Sequence, residues 1–226
     1  MATELRFGRT GGAAGTSISF ENTLDLPESV QVGKLSGFYR INRNQRIDFF
    51  YYKVDRNSVG PTPIAFNING ADFAVNDIVS TTANSDFISA MWSYSFINDE
   101  KFEFGLGGGL YLSNKDMIID NQTQLGNTAA GSATTGLPVF GFRGDWNITR
   151  KWRMGVEQNI FLLDLGTLQG ALSNFEWRIE HQTFKNVGFG AALNYFTSSA
   201  ELSANGVDAD INTRYNGLFV YLKGAI

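Results

Sequence analysis

Few residues in this chain could perform chemistry, and they are scattered. There is one histidine, His181, and no cysteine. A general base must stand within hydrogen-bond reach of the proton it takes. His181 lies in EHQTFKN, a polar stretch that reads as a short turn, so it reads as a solvated turn residue rather than a base. Without cysteine there is no thiolate nucleophile, no Cys-based metal site and no disulfide framework. No Walker loop, His-x-x-x-His pair or EF-hand spacing occurs. GLGGGL, Gly105 to Leu110, lies inside a strand-like run with no helix after it. It therefore lacks the helix N-terminus that a phosphate would use. The expectation is a protein that is not an enzyme, with no cofactor and no metal.

What remains is charge at regular spacing. Arg6, Arg40, Asp48, Glu103, Arg143, Arg153, Glu157, Glu176 and Arg178 stand on one parity of their segments, most of them between apolar or aromatic neighbours. Side chains alternate faces along a strand. Charges on one parity therefore share a face, and opposed Arg and Glu there would pair if that face is buried.

The elements that must position them are strands. Helical periodicity is scarce, and period-two alternation runs almost throughout. Four hairpins stand out: Gly37 to Tyr52, Trp92 to Leu112, Phe140 to Phe161 and Phe175 to Phe196. Their turns fall at Asn42 to Arg46, Asn98 to Glu100, Thr149 to Arg150 and Thr183 to Asn186. Between them lie longer polar connections at 55–80, 113–135, 166–171 and 197–210, with another near the start at 8–29. A strand near Thr3 and a last strand from Ile211 bring the count to ten, with eight or twelve as the alternatives. Short turns then lie at one end and long loops at the other, with both termini at the short-turn end. The expected fold is a single all-β domain, 1–226, an antiparallel up-and-down barrel.

The faces indicate which solvent each side meets. One parity carries Trp92, Tyr94, Phe102, Phe104, Phe142, Trp146, Trp152, Phe175 and Trp177. The other mixes Gly, Ser and Asn with Arg and Glu. Glycine on a wet outer face weakens a strand and packs nothing, but inside a narrow barrel it leaves room for large neighbours. Phe96, Phe102, Trp146 and Trp152 flank the short turns, where a membrane barrel carries its aromatic girdle. The alternative that keeps the same alternation is a soluble barrel with an apolar ligand cavity.

Composition removes other classes. A net charge of -4 with 18% charged residues leaves no basic footprint for nucleic acid. Gly numbers 25 against 4 Pro, and aromatics reach 14%, unlike a disordered chain. No apolar run approaches the roughly 18 residues of a transmembrane helix. No signal peptide is visible, and an outer-membrane location implies that one was removed.

On these features, and on FYRINRNQRIDFFYYKVDR in particular, the chain resembles the small outer-membrane β-barrels of Gram-negative bacteria, the OmpA-like and porin-like group. The last strand, YNGLFVYLKGAI, departs from that group's usual final aromatic. The resemblance implies an outer-membrane location, with membrane lipid and lipopolysaccharide as surroundings. The expected function is binding or passing small solutes, hydrophobic ones included. The route would be the narrow charged lumen or a mouth lined by Ile64, Phe66, Ile68, Phe73, Met117, Ile118 and Ile119. The alternative is a non-conducting barrel for anchoring, adhesion or partner binding. Oligomeric state is left open.

Overall fold

The computed structural model describes residues 2–9, 16–68, 70–124, 126–164, 168–204 and 207–224. It describes the side chains of these except 2, 5–9, 16–18, 20, 168, 201–204 and 207–210. In chain order the elements are β1 (Ala2–Arg9), β2 (Thr16–Ser19), helix α1 (Phe20–Thr23), β3 (Lys34–Arg40), β4 (Gln45–Pro61), β5 (Phe66–Ile68) and β6 (Ala71–Phe73). There follow β7 (Ile78–Asn98), β8 (Phe102–Asn121), β9 (Thr128–Asn147), β10 (Trp152–Asp164), β11 (Leu168–Gln182), β12 (Val187–Ala204) and β13 (Val207–Gly224).

The main sheet has the order β2-β1-β13-β12-β11-β10-β9-β8-β7-β4-β3, every pair antiparallel. β5 and β6 form a separate small hairpin. The ten expected strands correspond to β1, β3, β4 and β7 to β13, with β2 a short addition at one edge.

The short turns form where polar residues can satisfy the free backbone donors of a tight reversal. Asn42 Oδ1 accepts from the N–H groups of Asn44 (2.9 Å) and Gln45 (3.0 Å). Asp99 Oδ1 accepts from Lys101 (2.9 Å) and Phe102 (2.7 Å). Thr149 Oγ1 does the same for Lys151 and Trp152.

Four sequence expectations are corrected. The segments 113–135 and 197–210 are mostly strand, not loop: β8 and β9 run on to Asn121 and Thr128, and β12 and β13 to Ala204 and Val207. Polar residues carry the ladder there without apolar alternation, because backbone pairing needs no buried face. Arg46 belongs to β4 rather than to the turn. His181 belongs to β11, ring to ring with Trp152 (4.7 Å) and Phe189 (5.3 Å), while its Nδ1 pairs with Thr183 Oγ1. Ala2 stands opposite Arg214, well up β13 from the short-turn end.

The sheet curls strongly. Tyr52 on β4 bonds through its hydroxyl to Tyr111 on β8, two strands away in the sheet order, and to Tyr215 on β13, seven strands away. Glycines on the concave side permit the approach. A Cβ on Gly107 would strike the Trp92 carbonyl and Ser93, and one on Gly190 would strike the Tyr221 ring. A bulge between Ser95 and Ile97 shifts the β7–β8 register, a common way to increase twist.

Candidate functional site in the concave interior

Three layers fill the concave side, counted from the short turns. The first is ionic. Asp145 on β9 is 3% exposed and meets four guanidinium groups: Arg178 (2.7 Å), Arg153 (2.8 Å), Arg46 (3.1 Å) and Arg143 (3.4 Å). Arg46 also grips Asp48, with its Nε donating to Oδ2 at 2.8 Å. Arg143 donates to Glu103 Oε1 (2.6 Å) and to the hydroxyls of Ser93 (2.8 Å) and Ser95 (2.7 Å). Arg40 closes on the other side of Glu103. Arg178 reaches Glu157 and Glu176, both at 3.7 Å, and Lys34 pairs with Glu176. Six cations and five carboxylates thus form one connected network. A buried ion must be compensated by partners and hydrogen bonds, and here nearly every carboxylate has several.

Glycine shapes this layer too. A Cβ on Gly155 would collide with the Arg178 guanidinium and approach Asp145. The Arg178–Asp145 pair therefore occupies space that only a glycine opposite can leave.

The second layer is aromatic. Tyr52 stacks on Phe87 (4.7 Å), Phe196 on Tyr215 (4.7 Å) and Tyr111 on Phe196 (5.7 Å), with Phe50 edge-on to Tyr111. Met91, Val139, Phe161 and Leu172 complete the cluster, and Val30 and Val32 of the chain before β3 pack against it.

The third layer is an apolar cap at the long-loop end. Phe66 and Phe73 of the β5–β6 hairpin stack at 4.8 Å and bury Leu24, Leu26, Val79, Ala83, Ile119 and Ala129 with them. Between cap and aromatic layer, Arg56 binds Glu21 of α1 (2.5 Å) and Thr3 of β1 (3.2 Å). These contacts fasten the chain before β3 across the interior.

Eight of the sequence-predicted charges, Arg40, Asp48, Glu103, Arg143, Arg153, Glu157, Glu176 and Arg178, meet in the ionic layer. Arg6 lies in β1, outside the described side chains. Arg40 and Asp48 do not pair with each other: Arg40 turns to Glu103 and Asp48 to Arg46. Sequence reasoning missed Arg46, Asp145 and Lys34. Their signal was the same parity, since Arg46 and Asp48 are two apart, as are Arg143 and Asp145. Of the expected mouth, Phe66, Ile68, Phe73, Met117 and Ile119 gather in the cap, whereas Ile64 and Ile118 are exposed outside it. The cap also uses Leu24 and Leu26, which no periodicity singles out. All four girdle residues, Phe96, Phe102, Trp146 and Trp152, are exposed at the short-turn end.

The convex side is apolar. Leu35, Tyr39, Phe49, Ile88, Trp92, Leu106, Leu110, Phe142, Ile160, Leu193, Leu218 and Val220 all lie on it, exposed. No helix among the described residues is long and apolar enough to cross a membrane. No group of three or more ligating side chains suited to a metal occurs among the described residues. Comparison with known proteins finds no matching family model and no matching curated protein.

Proposed function

We propose that this chain is a membrane-embedded β-barrel of the outer-membrane type whose lumen is sealed, so that it anchors and displays its long hairpins rather than conducting solute. One observation carries the reading: the curled sheet gathers its paired charges on the concave side and exposes a broad apolar, aromatic-bearing convex face. Soluble monomers rarely expose apolar patches beyond a few hundred Å². A continuous convex face of Leu, Phe and Trp suits hydrocarbon, and the girdle at the short turns suits the headgroup level. The interior supports sealing, since the ionic, aromatic and apolar layers succeed one another along the axis.

Passage or capture of a small solute is the second reading. Phe66, Phe73 and Met117 favour it as an apolar mouth, but Leu24 and Leu26 already occupy that position. Solute entry would need their displacement.

Purified protein refolded in detergent should migrate as a compact form on SDS gels unless boiled, and should give no single-channel events in planar bilayers. A protein that stays monomeric without detergent and melts as an ordinary soluble domain would remove the membrane reading. Discrete conductance steps would remove the sealed lumen and leave the barrel.

A further inference from the structure

Between β9 and β10 the wall of the sheet splits. The two strands pair from Asn147 with Arg153 up to Phe140 with Ile160, and there the ladder stops. Both strands go on. Toward Thr128, β9 has β8 alone beside it among the described residues, and β10 continues to Asp164 beside β11. The sequence provides for this. Pro138, two residues past the last pair, has no N–H to give a ladder, and proline in a sheet belongs at an edge. The edge beyond it, TAAGSATTG from Thr128 to Gly136, carries small side chains only.

Exposure changes at the same height. On the convex side Phe140 is 67% and Leu162 78% exposed, against 38% for Phe142 and 45% for Ile160 one step below. On the concave side Val139 is buried, whereas Thr135, Ala133 and Gly131 of the same parity are exposed. An open recess of about 420 Å³, bordered by Leu162, Leu163, Gly170 and Ala171, lies on the β10 side of the split. The convex apolar run of β8 also ends here: Leu112 stands opposite Gly136, and Asn114 and Asp116 follow. On the membrane reading the split therefore opens at the interface opposite the girdle.

Behind the split stands a cation without a counter-ion. Lys115 lies opposite Ala133 and Ser113 opposite Thr135, so only small side chains separate them from the opening. Among the described residues the other cations of the concave side each meet a carboxylate, from Lys34 with Glu176 to Lys223 with Glu180. Lys115 meets none there; its ammonium donates to the Thr213 hydroxyl across the interior on β13, at 3.1 Å. The Ser113 hydroxyl, on the same face two residues earlier, is buried with no hydrogen-bond partner among the described residues. An uncompensated cation and an unsatisfied hydroxyl side by side are costly unless an anion answers both.

We infer that Lys115 and Ser113 hold the anionic head of a single-chain amphiphile, a carboxylate or phosphate on an alkyl chain, which enters from the membrane between β9 and β10. The chain then lies over Phe140, Leu162 and the recess beside them. Tyr111, the next concave residue below Ser113, belongs to the aromatic layer, which closes the axis beneath the site. The amphiphile is therefore captured and not conducted. The membrane reading supplies its source; the site itself rests on the split and on Lys115.

The test uses the full chain refolded in phosphatidylcholine vesicles and a dodecanoic acid carrying a terminal photoreactive diazirine. Saturable labelling is expected on β9 or β10 beside the split. Dodecanoate should compete, and dodecanol and inorganic phosphate should not. Lys115→Gln should raise the half-saturating concentration by about tenfold or more and Ser113→Ala by about threefold, while Lys115→Arg restores binding. The boiling-sensitive compact gel form, retained in each variant, shows that they fold. Labelling that does not saturate, or that ignores both Lys115→Gln and Ser113→Ala, overturns the inference. Equal competition by dodecanol removes the anion site, and competition by phosphate makes the occupant a free anion; either overturns it. Intermolecular disulfides at Thr134→Cys would place a second copy on the β9 edge and overturn it as well. A chain that stays monomeric without detergent removes the membrane reading alone, and the same labelling in buffer then decides the site.

Discussion

On β4, Arg46 and Asp48 turn to the concave side while Ile47 and Phe49 turn to the convex side, and these sequence neighbours live in opposite surroundings. Arg46 is 1% exposed and bound to two carboxylates, whereas Phe49 is 46% exposed with its ring over Gly37. The same inversion recurs on β9, where Arg143 and Asp145 are buried and Phe142 and Trp146 are exposed. In a water-soluble domain the hydrophobic effect drives the second set inward. On the proposed membrane reading the convex side meets something less polar than water, while the concave charges are balanced by one another. The two faces should therefore answer differently to the same kind of change.

The largest effect is expected on the concave side. Asp145→Asn keeps the shape but removes the anion shared by four arginines. Breaking one side of a buried pair costs about 3–5 kcal/mol, so urea unfolding followed by tryptophan fluorescence should shift by that amount, or the variant should fail to refold. Wild-type stability would mean that water already screens this layer. Next comes the convex side. Phe49 lies level with Ala90 and Leu110 in the ladder. Phe49→Arg should cost about 2–4 kcal/mol in lipid vesicles and much less in aqueous detergent-free buffer; equal effects in both would break the contrast between the faces. Third, Phe87→Leu in the aromatic layer should cost about 1 kcal/mol, because a shape change between apolar side chains is largely absorbed by repacking. A loss like that of Asp145→Asn would show that the aromatic layer, not the ionic one, holds the curl.

The smallest effect lies at a turn, outside both faces. The backbone N–H groups of Phe102 and Lys101 hold the Asp99 carboxyl below the usual carboxylate range. A depressed folded value contributes stability that is present above the unfolded value and lost as pH falls through the folded one. Asp99→Asn should therefore lower stability slightly at neutral pH, where that contribution is present, and leave it unchanged at low pH, so that the acid limb of a pH–stability curve flattens. A larger change at neutral pH would mean that the turn is not solvent-screened.

Much of this was legible from period-two spacing. The hairpin turns at Asn42, Asp99 and Thr149 are marked by residues whose short polar side chains cap their own backbone. Arg40, Glu103, Arg143 and Arg178, on one parity of their strands, lie together on the concave side. The strand ends did not follow, because from Ser113 to Thr135 neither face is uniformly apolar and the ladder persists without a hydrophobic signal. Partner choice within the ionic layer did not follow either. Arg40 on β3 finds Glu103 on β8 through the curl of the sheet, which single-strand parity does not contain, whereas Asp48 finds Arg46 two residues away on its own strand.

By itself the sequence determined the class of strand, the sides on which charge and aromatic residues lie, and the absence of thiol chemistry, since alternation and composition are local properties. Only the tertiary structure decided that Asp145 is the hub of the charges, that Leu24 and Leu26 fill the cap, and that Tyr52, Tyr111 and Tyr215 from three strands meet on the concave side. Those outcomes depend on register and curl. Both are set by many weak backbone and glycine contacts summed around the sheet rather than by any one residue type.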